Sequence, residues 1–268
     1  MARSFDGNDD LASASTIDLS GTQQLTLAWW MIWDTFADND KLAFEFSTNY
    51  NIVETGFIIN PNDSVRNEFM AGIKGDDGFS AGSFTRPSAD VWHHYVVLLD
   101  KSAAASEVVD IYLDGSAQGL NRSADSNNTN NFGNLNLYFM SRAGSSLLAD
   151  GEMAEVGLWD RLATVGECEG LAKGYSPECY PNGLVEYWKL MGNNSPEIGE
   201  RGVSDLTVDG ATKFAHPRMI YPARTQIGVP AAGDAPAVSK EGTKNKLVST
   251  AGTMGRKHSR FGRTWWGY

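Results

Sequence analysis

Cysteine is scarce. Cys168 and Cys179 alone, in 268 residues, permit one disulfide at most, so a miniprotein stapled by crosslinks is excluded and the chain must bury a full core. Charged residues make up only 21% against 41% hydrophobic, a balance that excludes wholesale disorder. No apolar run approaches the roughly 20 residues that would span a bilayer as a helix. The segment Met1 to Gly7 has no apolar h-region, so no signal peptide is expected. Helical periodicity is almost missing too. Only Thr164 to Lys173 reads as a helix, closed by Gly174 and then Pro177, which rules out a doubly wound α/β fold. Basic residues are outnumbered, and the net charge of -11 argues against nucleic acid or an anionic membrane as partner.

What the chain does contain is period-two alternation. Leu25 to Trp33, Lys41 to Phe46, Gly56 to Ile59, Glu68 to Ile73, Trp92 to Leu99, Val108 to Leu113, Leu135 to Met140, Met153 to Trp159 and Leu184 to Leu190 are aromatic or β-branched stretches broken by Gly, Asn and Asp. Such short, evenly spaced strands predict an all-β, two-sheet antiparallel sandwich. Asp114-Gly115 after Leu113 marks a tight turn. Residues 121 to 136, with seven Asn, read as a polar loop.

After Pro222 the character changes. Residues 223 to 268 are rich in Gly, Ala, Ser, Thr and Pro without a sustained period, which predicts an extended arm following a domain of residues 1 to 222. Eight Lys and Arg against Asp234 and Glu241 give the arm +6, leaving -17 on the domain, so the exclusion of anionic partners applies to the domain and not to the arm. The arm ends in a cluster of Arg256, Lys257, Arg260, Phe261, Arg263, Trp265, Trp266 and Tyr268. Aromatics and Arg dominate interface hot spots, so these residues are expected to dock on an acidic, partly apolar partner surface.

Trp92-His93-His94-Tyr95-Val96-Val97 followed by Ile111-Tyr112-Leu113-Asp114-Gly115 resembles the "WHHVAV... LYVDG" pair of laminin G-like jelly rolls in the concanavalin A-like lectin/glucanase superfamily. Phe5-Asp6-Gly7 with Asp9-Asp10-Leu11, Leu25 to Trp30, and Gly151 to Val156 with Trp159 to Leu162 resemble further family segments in the family's order. Leu184 to Leu190 and the stretch from Ser195 to Pro222 are similar to the ending of laminin G-like proteins of tailed bacteriophages. That resemblance implies a non-enzymatic virion component, a capsid decoration or minor capsid protein on the virion surface, made in the host cytoplasm. Its arm would bind the major capsid or another shell protein, or neighbouring copies. The wider family implies an alternative, a lectin-like module for surface glycans, for which no single residue stands out in the sequence.

The resemblance also implies a structural Ca²⁺, for which Asp6, Asp9 and Asp10 supply hard oxygen donors; the Asp76-Asp77 turn is another candidate. The Asp of the family's "IDEV" is Ala154 here, one expected ligand fewer. No Glu-x-Asp-x-(x)-Glu word of a retaining glycosidase occurs, and in a regular strand Glu152 and Glu155 fall on opposite faces, so no catalytic residue is assigned. His93 and His94 also point to opposite faces and make a poor metal pair. Of the adjacent Trp29 and Trp30, one must face outward. Cys168 and Cys179 flank a turn that a disulfide could bridge, while a reducing cytoplasm would leave two thiols.

Overall fold

The structure, a computed structural model, describes residues 1–33, 40–47, 54–63, 67–75, 78–124, 130–192 and 194–222. In chain order the strands are β1 Ala2–Asp6, β2 Leu11–Asp18, β3 Gln24–Trp33, β4 Phe44–Phe46, β5 Phe57–Asp63, β6 Glu68–Lys74, β7 Phe79–Thr85 and β8 His93–Asp100. They continue with β9 Val109–Leu113, β10 Ser116–Ala117, β11 Asn121–Ala124, β12 Asn134–Phe139, β13 Asp150–Trp159, β14 Leu184–Trp188, β15 Leu206–Asp209 and β16 Thr212–Phe214. The helix α1 spans Val165–Ala172.

The strands form two antiparallel sheets stacked as a sandwich. The first runs β10-β9-β8-β3-β13-β1-β16, with β14 also paired to β13; the second runs β11-β7-β6-β5-β4-β12-β2-β15. Strand β13 serves two partners on one edge: Arg3 to Asp6 pair with its first half, and Leu184 to Trp188 with its second.

Alternation decides which side chains fill the gap between the sheets. On β3, Leu25, Leu27, Trp29, Met31 and Trp33 join the main core while Ala28 turns to the other face. Trp29 stacks on Tyr95 with ring centroids 5.2 Å apart and meets Phe44 edge-on at 5.0 Å. Emptying such a site by Trp29→Ala would cost about 3–5 kcal/mol.

A second apolar cluster lies on the outer face of the first sheet. Ala28, Val96, Leu98, Trp159 and Tyr187 pack there under Cys168 and Leu171 of α1. The helix starts where the sequence reading puts it, because Thr164 and Glu167 form a reciprocal capping box. Arg161 then clamps Glu167 with Nη2 to Oε1 at 2.6 Å. The return segment crosses beside the helix end: Ile220 N–H donates to Gly174 O at 2.7 Å and Ser176 N–H to Ile220 O at 3.0 Å.

Two strands depart from the sequence reading. Leu11–Asp18 forms β2 although its inward residues are only Ala12, Ala14 and Ile17, too small to give a period-two signal. The polar stretch 121 to 136 is strand at both ends, in β11 and in β12 from Asn134. Asn121–Ala124 pairs with β7, and its polar side chains reach beyond that partner: Asn121 Nδ2 donates to Glu68 Oε1 of β6 at 2.7 Å, and Arg122 Nη2 to Asp110 Oδ1 of β9 in the first sheet at 2.7 Å.

Candidate functional site

The outer face of the second sheet carries a hollow of about 270 Å³. Its floor is Ile58 of β5 and Met70 of β6, residues that alternate outward from the core positions Phe57, Ile59 and Phe69. Leu42 and Leu147 add apolar walls, and Asp40, Asn60, Asp63 and Arg142 add polar ones.

Several of these polar groups are held in place. Asn60 Nδ2 donates to Asp40 Oδ1 at 3.1 Å, while Asn60 Oδ1 accepts from Asn62 N–H at 2.9 Å. Pro61 sits inside β5 where the register slips between Asn60 and Asp63; a residue without an N–H is tolerated at such a bulge, and the bulge re-aims the side chains around it. Arg142 Nε stands 3.7 Å from Glu45 Oε1. Glu45 is fully buried, and its oxygens accept from Ser47 Oγ at 2.9 Å and Ala143 N–H at 2.6 Å. An apolar floor with a rim of fixed donors and acceptors is the chemistry that grips a small polar ligand in an oriented pose.

The structure brings Asp6, Asp9 and Asp10 together, with carboxylate oxygens within 4.8 Å of one another. Asp6 lies below the usual carboxylate range because Asn8 and its neighbours donate to it, whereas burial pushes Asp10 up, helped by the charges of Asp6, Asp9 and Asp209. Three convergent carboxylates with residual repulsion fit a hard divalent cation such as Ca²⁺; Asp6, Asp9 and Asp10 are the residues that would hold it. Ala154 is irrelevant to this trio. Asp6 pairs with Asp150, and Ala154 lies four residues further along β13, about 13 Å away.

The remaining sequence candidates fall as follows. His94 is buried and packs against Trp30, ring centroids 5.1 Å apart. Burial pulls its imidazole down to about 3. His93 points away to the sheet end, and Trp92 neighbours Phe214 at 6.5 Å. Trp30 is the outward member of the Trp29-Trp30 pair, and Trp29, Trp33 and Trp159 are buried; none of the four tryptophans lines the hollow. Cys168 and Cys179 are both free thiols, with the buried Cys168 pushed up to about 12. Glu155 overturns the strict alternation: the bulge between Ala154 and Gly157, with Glu155 at φ 57°, turns it to the outer face. There it accepts from the hydroxyl groups of Tyr187 and, at 2.7 Å, Tyr221. Asp76-Asp77 and the arm residues Arg256, Lys257, Arg260, Phe261, Arg263, Trp265, Trp266 and Tyr268 lie outside the described residues.

The sequence reading had no way to find the hollow. It sought exposed aromatics, and the lining residues are common types that converge only through the fold.

Two stacked antiparallel sheets, one closed outside by a helix and the other open with a hollow, define a jelly-roll β-sandwich, an architecture shared by many lectin domains. The chain belongs to the Concanavalin A-like lectin/glucanases superfamily: a laminin G family model matches residues 6–168. Among solved structures, the chain is similar to a "putative carbohydrate binding protein" from Bacteroides ovatus, with TM-score 0.58, 16% identity, and 82% of this chain covering 61% of that one. It therefore spans about three fifths of that protein's length. A heptameric SAP-like pentraxin from Limulus polyphemus matches with TM-score 0.47 and 15% identity, covering 77% of this chain and 93% of the other. Domains LG4-5 of the mouse laminin alpha1 chain match with TM-score 0.43 and 12% identity, over 59% and 40%. No curated protein matches in sequence.

Proposed function

We propose that the domain is a carbohydrate-binding module that holds a sugar in the hollow over Ile58 and Met70. The observation that carries this reading is the pairing of an apolar floor with the fixed polar groups Asn60, Asp40 and Arg142. The floor matches the C–H face of a pyranose ring, and the polar rim matches its hydroxyls. The lectin membership of the superfamily and the designation of the Bacteroides ovatus protein make glycans the first ligand class to examine. A glycan array probed with the full chain should show selective binding. Met70→Trp, which fills the hollow, should abolish it, and Asn60→Ala should weaken it about tenfold, the effect of one lost hydrogen bond. An array without selective signal, or undiminished binding by Met70→Trp, refutes the reading.

Attachment to a capsid or other shell protein, or to neighbouring copies, is the role we propose for the arm. It rests on the opposite charges of arm and domain and on the basic, aromatic ending; neither the family match nor the related structures bear on it. A chain ending at Pro222 should then fold but fail to bind the particle. Decoration at full occupancy by that truncation removes the anchor idea.

A further inference from the structure

Ser88, His93 and Asp114 form a hydrogen-bonded array at the end of the first sheet. Ser88 Oγ lies 3.3 Å from His93 Nε2, and His93 Nδ1 lies 2.7 Å from Asp114 Oδ2. We propose that this array is an acyl-transfer site, with Ser88 the nucleophile, His93 its general base and Asp114 the positioning residue. Its substrates would be carboxylic esters with a small acyl group.

Each member is held by the fold rather than left to chance. Asp114 opens the tight turn between β9 and β10, at φ 49°, followed by Gly115 at φ 82°. Its N–H donates to His94 O at 2.8 Å, and its second oxygen, Oδ1, accepts from His94 N–H at 2.8 Å. With Oδ1 committed to a backbone donor, Oδ2 faces His93. A carboxylate accepts only, so the proton of a neutral His93 sits on Nδ1, and Nε2 presents its lone pair to Ser88 Oγ. That is the tautomer a general base needs. The segment carrying Ser88 is tied down at Asp90, whose N–H donates to Trp33 O at 2.9 Å. The 3.3 Å separation is within the range that tightens when a substrate arrives.

Access follows from burial. Ser88 is exposed, while the His93 side chain keeps only 15% exposure. The base is thus sheltered and the nucleophile reachable. An exposed serine admits an alcohol portion of any size but offers no enclosure for a long acyl chain, which sets the substrate class. Among the described residues, the backbone N–H groups of Ser88 and Ala89 donate to no protein acceptor, so they are open to a developing oxyanion; the nucleophile's own N–H is a common donor for that task.

The step balances. Ser88 Oγ attacks the ester carbonyl as its proton passes to His93 Nε2, and the resulting imidazolium is stabilised by Asp114. The C–O bond to the alcohol breaks, and the leaving oxygen takes the proton from His93. Water, deprotonated by His93, then attacks the acyl-Ser88 ester, releasing the carboxylic acid and restoring the serine. No redox partner is required.

The test is hydrolysis of p-nitrophenyl acetate by the full chain, with a fluorophosphonate probe mapped by mass spectrometry. The probe should label Ser88. Ser88→Ala, at an exposed position, should leave the melting temperature unchanged and reduce hydrolysis to the buffer rate. His93→Gln should cost about 100-fold or more in kcat, and Asp114→Asn should lower kcat with KM unchanged, which a purely structural role would not do. Wild-type hydrolysis by Ser88→Ala, or labelling elsewhere than Ser88, overturns the assignment. Met70→Trp should leave hydrolysis unaffected, which separates this site from the hollow.

Discussion

Glu186 is the residue whose replacement should reveal most about how the domain is tied together. It is fully buried on β14, yet among the described residues no Lys or Arg faces it in an ion pair; its charge is met by backbone. Oε1 accepts from Tyr187 N–H at 2.8 Å and Arg201 N–H at 2.7 Å, and Oε2 accepts from Val203 N–H at 2.6 Å and Ser204 N–H at 3.1 Å. The carboxylate therefore folds residues 199 to 204 into a cap over Trp188, whose Nε1 donates to Ser204 O at 2.8 Å. Glu186→Gln keeps the size but sets an NH₂ group against two N–H donors. Two charge-assisted bonds are lost at about 1.5–3 kcal/mol each, so a loss of about 4 kcal/mol is expected. At about 2–4 °C per kcal/mol for a domain of this size, thermal denaturation followed by circular dichroism should shift down by about 8–16 °C. Gly199→Ala should act on the same cage, because its Cβ would stand 2.5 Å from Glu186 Oε2. The double variant should lose less than the sum, since a cage already opened has nothing left to clash with. A Glu186→Gln protein melting within about 2 °C of the parent would refute the reasoning.

Two further outcomes can be checked on the same instrument. His94 is held neutral by burial, down to about 3 against 6.5 unfolded; the unfolded chain binds the extra proton below pH 6.5, so stability should fall with pH from about 6.5 toward 3, by up to about 1.4 kcal/mol per pH unit, and His94→Phe should remove that component of the slope. Calcium at 100 times its Kd should add about 2.7 kcal/mol and raise the melting temperature by about 5–11 °C, an increment that Asp9→Asn should abolish; no rise at millimolar calcium would mean the Asp trio serves only as a turn.

The sequence was readable wherever one physical signal ruled a segment. The β3 alternation, the helix from Thr164 closed by Gly174 and the Asp114-Gly115 turn each depend on local residues, and each stands where the pattern places it. It failed where long-range pairing supplied what local propensity lacked. β2 turns only Ala12, Ala14 and Ile17 into the core, and Pro61 hides the continuation of β5 because a proline demotes a strand unless a bulge receives it. The Glu155 bulge has the same origin: a register slip between β3 and β13 is set by two strands together. The Asp6, Asp9 and Asp10 cluster was legible because its members are close in sequence. The hollow was not, since Asp40, Asn60 and Arg142 come from three distant segments.

The two outer faces differ in cover, which is why the hollow proposed for sugar lies on the second sheet. The first sheet turns Leu98, Trp159 and Tyr187 into a second apolar cluster under α1, and the segment through Ile220 and Tyr221 closes over Glu155. Tyr187 and Tyr221 beside Glu155 are both pushed above the ordinary phenol range by burial, with the carboxylate adding to it, so their hydroxyls stay protonated and keep donating to it. His216 Nε2 stands 2.9 Å from the same carboxylate. That face is thus sealed by groups that need one another: removing the strap would expose apolar surface and strand a buried carboxylate, a cost of several kcal/mol. Among the described residues the second sheet has no such cover over Ile58 and Met70, and its outward polar groups are fixed by neighbours in the sheet. Sugar binding there needs no rearrangement of the core, whereas binding over β13 and β14 on the outer face of the first sheet would have to break the Glu155 cluster first.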